Sequence, residues 1–169
     1  MMKTSISLIG MAGAGKSSIG KELAKSLNLE FVDSDLVIEQ KYGKSLQDIL
    51  SQSGHERFKE IEEKSLLSVN FQEIVLATGG SAVFSKKAMQ FIKENSIVIY
   101  LDATYQDITE RVSNFSERGL IKRSDQTVEE AHKERKELYQ HFTDHTIKND
   151  ETIDACVNEI LGLITKYYE

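Results

Sequence analysis

Residues 10–17 read GMAGAGKS, which fits G-x-x-x-x-G-K-[ST] and directly follows the apolar run SISLI. This pattern confines the local chain to one shape: a strand, a tight glycine-rich loop that cradles phosphate, then a helix. Gly10, Gly13 and Gly15 let the backbone turn sharply and aim N–H groups at phosphate oxygens. A helix starting near Lys16 adds the positive end of its dipole. Lys16 supplies a compact charge for the β- and γ-phosphates, and Ser17 offers a hydroxyl to Mg²⁺. Ala14 and Ser18 join them in the expected ATP-binding set. The amphipathic stretch SSIGKELAKSLN after the loop is the helix the motif requires.

Nearly continuous apolar runs alternate with helical patterns along the rest of the chain. Strands are expected at 5–10, 29–35, 73–80 and 96–103, with a weaker fifth at 145–150. Helices are expected at 16–27, 36–52, 55–69, 85–94, 104–114, 127–144 and 151–168. Asp102 and Thr104 are candidate caps for the fifth of these helices and Asp150 for the last. The alternation predicts βαβ crossovers, hence a three-layer α/β/α architecture on a five-stranded parallel sheet. A length of 169 residues suits one domain with a sizeable core. Two insertions interrupt the rhythm. One is the two-helix stretch at about 36–69. The polar segment SNFSERGLIKRSDQT, 113–127, reads as a lid that carries arginines over a phosphate site.

Composition narrows the function classes. A net charge of −6 without a basic run argues against nucleic acid as a partner. No apolar run approaches the roughly 18 residues that span a membrane. The N-terminal apolar stretch is too short for a signal peptide and runs straight into the phosphate loop. Cys156 is the single cysteine, which excludes a disulfide within the chain and favours a reducing compartment. These features predict a cytoplasmic monomer.

Several residue groups suit chemistry beside that loop. Asp33 and Asp35 close the second strand in FVDSD, and two like charges at i and i+2 need a cation or donor to relieve them. Magnesium does so for Asp33. Asp35 can orient an acceptor hydroxyl or take its proton, and can equally cap the next helix. The stretch GHERFKEIEE carries Arg57, Lys59, Glu60, Glu62 and Glu63, and by itself reads as a solvated helix face with ion pairs. In ATGGSAV, Gly79 and Gly80 let backbone approach a ligand while Thr78 and Ser81 can donate to it; a plain strand-to-helix turn reads the same way. Arg118 and Arg123 lie in the lid and Arg135 on the helix beyond it, the side chain suited to bidentate contact with phosphate or carboxylate. Arg111 can stack on a base. His141 and His145 stand four apart but lack a third ligand, so a structural role is expected. Cys156 is expected in the core beside Ile153, Val157 and Ile160.

These pieces, in this order, resemble the shikimate kinase family of the nucleoside-monophosphate-kinase fold, over nearly the whole chain. GMAGAGKSSIG resembles the family's nucleotide loop, FVDSDLVIE its paired aspartates, and GHERFKEIEEKSL its substrate helix at Gly54, Phe58 and Glu62. LATGGSAV is similar to its triple-glycine segment, ERGLI to its lid, and ERKELY to its post-lid helix with Arg135 and Tyr139. The resemblance implies transfer of phosphate from ATP to one hydroxyl of shikimate, a step towards aromatic amino acids. It implies that Lys16 and Ser17 hold phosphate and Mg²⁺ and that Asp33 acts on the metal. It further implies that Asp35 binds the acceptor's hydroxyls, Arg118 closes on the phosphates and Arg135 pairs with the acceptor's carboxylate. Lys59, Gly79, Gly80 and Ser81 fall at the remaining acceptor positions. Departures cluster there: His55 where the family has Glu, Lys59 where it has Arg, and Ser81 where it has a third glycine. Gly119 and Glu137 stand where it has prolines. Two other readings stay open at this point: a kinase of the same fold for a different small hydroxylated acid or polyol, and a nucleotide-binding regulator without catalysis.

Overall fold

Apolar residues on alternating sides of parallel strands explain the architecture of the computed structural model, which describes residues 4–111, 125–149 and 152–167. The strands are β1 (Ser5–Ile9), β2 (Glu30–Asp33), β3 (Ile74–Ala77), β4 (Ser96–Asp102) and β5 (His145–Lys148). They form one sheet in the order β2-β3-β1-β4-β5, with every pairing parallel. Along β4, Ile97, Ile99 and Leu101 face one core and Val98 and Tyr100 the other, as period-two side chains must. Helices α1 (Lys16–Leu27) and α7 (Ile153–Ile164) cover the first face through Ile19, Leu23, Val157 and Ile160. Helices α4 (Lys86–Asn95) and α6 (Val128–Phe142) cover the second through Met89, Ile92, Tyr139 and Phe142. The expected three-layer α/β/α sheet fold is what forms. The remaining helices are α2 (Ser34–Tyr42), α3 (Leu46–Leu67) and α5 (Tyr105–Arg111).

The expected elements shift where local chemistry is stronger than hydrophobic pattern. The second strand ends at Asp33, not at residue 35, because the Asp33 side chain accepts from the N–H groups of Asp35 and Leu36 and starts α2. Asp35 therefore lies in a first helical turn rather than on a strand, and the cap is Asp33. The expected helix at 36–52 is broken at Gly43, whose φ of 62° ends α2. Ser45 then caps α3, which kinks at Gly54 (φ 77°, ψ 168°). Ile38, Ile49, Leu50, Phe58 and Ile61 give α2 and α3 a small core of their own. Thr104 exchanges hydrogen bonds with Asp107 at the start of α5, whereas Asp102 accepts from Tyr100 and Lys136 instead. Thr152 caps α7, and Asp150 lies outside the described residues. Most of the expected lid, with Arg118, Gly119 and Arg123, also lies outside them; Thr127 at its end caps α6 in a capping box.

Gly10 shows how tightly the phosphate loop is joined to the sheet. Its φ is 150°, and a Cβ there would lie 2.8 Å from the Leu101 carbonyl oxygen of β4 and 3.3 Å from the Ala14 Cβ. Gly10→Ala is expected to destabilise the fold by about 1–3 kcal/mol through strain, read as a lower denaturant midpoint at unchanged m.

Candidate active site

The carboxyl ends of β1, β2 and β3 open into a cavity of about 480 Å³, at the place where parallel sheets bind ligands. Its lining includes Gly13, Gly15, Lys16, Ser17 and Ser18 from the loop and α1, Asp33 and Asp35 from the start of α2, and Gly80 after β3. Arg111 at the end of α5 and Arg135 on α6 complete the lining. Gly10 and Ala14 do not line it; both are buried, Ala14 fully.

The loop is held by its own backbone and by one distant side chain. Ala14 N–H donates to the Met11 carbonyl at 3.0 Å. Gly13 (φ 83°) and Gly15 (φ 94°) make the turns that a residue with Cβ would resist. Gly15 starts α1 with no side-chain cap, so the first-turn N–H groups face the cavity as an anion site. The Lys16 ammonium is buried and donates to the carbonyls of Gly10 at 2.6 Å and Met11 at 2.8 Å. Burial pushes it down to about 8, against the pull of the Asp35 and Asp33 carboxylates. Asn149, at the end of β5, donates through Nδ2 to the Ala14 carbonyl at 2.6 Å, and accepts from Cys156 Sγ at 3.2 Å. Arg111 donates to the carbonyls of Asn149 at 2.9 Å and Gly13 at 3.4 Å. Nothing in the sequence marked Asn149, which ends the weakest strand and belongs to no motif. Cys156 is buried as expected, though Ile153 is exposed.

The metal-type donors lie together. Ser17 Oγ donates to Asp33 Oδ2 at 2.7 Å, while Asp33 Oδ1 is the helix cap. Both are hard oxygen donors at the mouth of the phosphate loop, a set that suits a magnesium ion keeping most of its ligands as water and phosphate.

Acceptor-side residues divide between two places. Asp35 faces the main cavity, and its carboxyl is pushed up to about 6 by burial first and by Asp33 second. Arg135 is buried on α6, donates to the Gly80 carbonyl at 3.3 Å and stacks over Phe84 at 5.0 Å. The Tyr139 hydroxyl donates to that same carbonyl. Gly79 N–H donates to Ser34 Oγ at 3.0 Å. The Thr78 hydroxyl, a candidate donor to ligand, is spent on the Leu8 carbonyl at 3.0 Å. Ser81 and Lys59 do not line the main cavity; they line a neighbouring one of about 240 Å³ with Glu62 and Phe84. Lys59 pairs with Glu56 at 3.5 Å and sits 5.7 Å from the Phe84 ring centre, because its stem leaves an exposed face of α3.

Glu62 is the site residue that a solvated-face reading overlooks. It is 3% exposed and accepts from the Ser81 hydroxyl. Burial raises its carboxyl to about 7, opposed by the Ser81 hydrogen bond. The signal was available: Phe58, Glu62, Ser65 and Leu66 fall on one helical face, and all are buried. Of the two histidines set four apart, His145 shares a hydrogen bond with the Tyr167 hydroxyl at 2.6 Å and His141 packs edge-on against Phe142.

Comparison with known proteins agrees over nearly the whole chain. A family model described as shikimate kinase matches residues 12–165. A shikimate kinase of Haemophilus influenzae (strain PittEE) is 38% identical over 167 residues, 96% of this chain and 93% of that protein. One from Francisella tularensis subsp. novicida is 39% identical over 166 residues, 95% and 94%. A solved shikimate kinase from Acinetobacter baumannii in complex with shikimate superposes with a TM-score of 0.85 at 30% identity, covering 96% of this chain and 93% of that one. The Aquifex aeolicus enzyme gives 0.84 at 29% identity, covering 95% and 96%.

The raised Glu62 carboxyl has a consequence for stability. The folded state binds a proton at Glu62 that the unfolded chain has released between about pH 4.5 and 7, so stability falls as pH rises through that window. The melting temperature of the ligand-free wild type is expected to drop more steeply from pH 4.5 to 8 than that of Glu62→Gln. Parallel curves would contradict this.

Proposed function

The chain belongs to the shikimate kinase family, and from that premise we propose that it transfers the γ-phosphoryl group of ATP to a hydroxyl of shikimate. The observation that carries the reading is the convergence, in one cavity, of a phosphate loop with the Asp35 carboxyl and the Arg135 guanidinium. The two sets of groups match the two reactants: a triphosphate, and an acid with hydroxyls.

Phosphoryl transfer asks a protein for positioning and for charge at the developing oxyanions, more than for covalent chemistry. Lys16 and the open N-terminus of α1 hold the β- and γ-phosphates. Ser17 and Asp33 are the residues that hold magnesium, whose charge, when bound, offsets that on the transferring group. Arg135 pairs with the acceptor carboxylate, buried and stacked on Phe84 so that its planar fork is fixed before shikimate arrives. Asp35 takes the hydroxyl proton as the oxygen bonds to phosphorus and the bond from phosphorus to the β,γ-bridging oxygen breaks, releasing ADP. Its burial suits it to this task, since a carboxyl poised nearer neutrality is a better base than a solvated one. Arg111 joins the nucleotide side through Gly13, and Arg118, outside the described residues, is the arginine assigned to the phosphates. Gly79 and Gly80 present main chain to the acceptor. The segment at about 36–69 serves as the acceptor-binding insertion of a single kinase domain. Among the described residues no helix is long and apolar enough to cross a membrane, consistent with a reaction between two soluble metabolites.

A coupled assay of ADP release tests the reading. Release is expected only when shikimate, ATP and Mg²⁺ are all present. Lys16→Ala is expected to abolish it, and Asp35→Asn to lower kcat by about 10²–10⁴-fold with ATP affinity nearly unchanged. ADP release that ignores shikimate would overturn the reading.

A further inference from the structure

The segment 79–81 is pinned at every residue. Gly79 N–H is held by Ser34, the Gly80 carbonyl accepts from Arg135 and Tyr139, and the Ser81 hydroxyl is held by Glu62. Two of these tethers use main chain. The third exists only because residue 81 has a side chain, where the family pattern has glycine. Its backbone does not need glycine: φ is −97° and ψ −2°, an ordinary right-handed conformation. Ser81 therefore sits without strain and turns its hydroxyl away from the main cavity, onto a carboxyl buried with it.

That carboxyl reaches the acceptor side by its other oxygen. A Cβ placed on Gly79 would lie 2.5 Å from Glu62 Oε1 and 2.5 Å from Asp35 Oδ1. The two oxygens thus flank one glycine, no farther apart than twice that distance. Glu62 is fixed at Oε2 by Ser81 and places Oε1 beside Gly79, across from Asp35 Oδ1. Lys59, which holds the family's arginine position, is occupied with Glu56 and Phe84 and takes no part in this contact.

We infer that Ser81 is a positioning residue for the acceptor: it does not touch shikimate but anchors Glu62, and through Glu62 fixes the Gly79–Gly80 main chain and the space beside Asp35. The inference rests on shikimate being the acceptor. It differs from the expectation that Ser81 itself contacts substrate, and it makes a family departure a working part.

The test is a cycle of Ser81→Ala, Glu62→Gln and the double variant, with Ser81→Thr as the conservative control. Ser81→Ala is expected to raise the KM for shikimate about tenfold, the scale of one hydrogen bond to a charged group, and to leave the KM for ATP within about twofold. Ser81→Thr keeps the hydroxyl and is expected to restore most of the loss. In the Glu62→Gln background, Ser81→Ala is expected to add little, because its partner is already changed. Carboxyl ¹³C NMR gives a readout that a merely structural role would not move. The Ser81 hydroxyl favours the charged form of Glu62, which also faces Asp35, Arg135 and Lys16, so the Glu62 midpoint is expected to rise in Ser81→Ala. Additive effects, or an unmoved midpoint, overturn the inference while wild-type turnover of shikimate leaves the functional reading intact. A wild type that does not phosphorylate shikimate overturns the reading and the inference with it.

Discussion

The Lys16 ammonium, closed over by the carbonyls of Gly10 and Met11, is the interaction on which the rest of the site depends. A buried cation is tolerated only where oxygens surround it. Those oxygens are in place because Gly10 takes a backbone angle that packs it against β4, and because Asn149 ties Ala14 to the end of β5. Sheet and loop thus share one geometry. The cation in turn makes the neighbouring carboxylates affordable, since Asp33 and Asp35 both act on it favourably. Remove the charge and Asp33 and Asp35 lose the cation that offsets them beside the phosphate loop.

On the acceptor side the same physics works with less positive charge. Arg135 is the cation fixed there by stacking and by the Gly80 carbonyl. Lys59 stays on an outer face, where a flexible ammonium is easily hydrated. Order comes instead from neutral and hydrogen-bonded contacts: Ser34 on Gly79, Tyr139 on Gly80, Ser81 on Glu62. A pocket of this kind selects by shape and by the placement of a few donors, so single hydroxyls carry weight there that surface charges do not.

Much of this was legible before any coordinates. The phosphate loop, the parallel sheet and the order of its helices follow from one motif and from period-two and period-3.6 hydrophobic patterns. Legibility failed where a short-range polar contact decided the outcome. Asp33 stops β2 and starts α2 by capping, which no hydrophobic pattern registers. Gly43 breaks the helix expected over 36–52, whereas the interruption expected before residue 55 forms as a kink at Gly54 within α3. Glu62 looked like one of several solvated carboxylates, although its helical phase with Phe58 and Leu66 placed it inside. Asn149 acts across a sequence separation of 135 residues, which only the fold brings together.

Phosphorus-31 NMR of the wild-type protein with ATP, Mg²⁺ and shikimate measures the central claim directly. The account predicts that the γ-phosphate signal is replaced by one phosphomonoester resonance and by those of ADP in equal amount, and that omission of shikimate leaves ATP unchanged. Conversion of ATP to ADP and free inorganic phosphate, or no conversion, would contradict it.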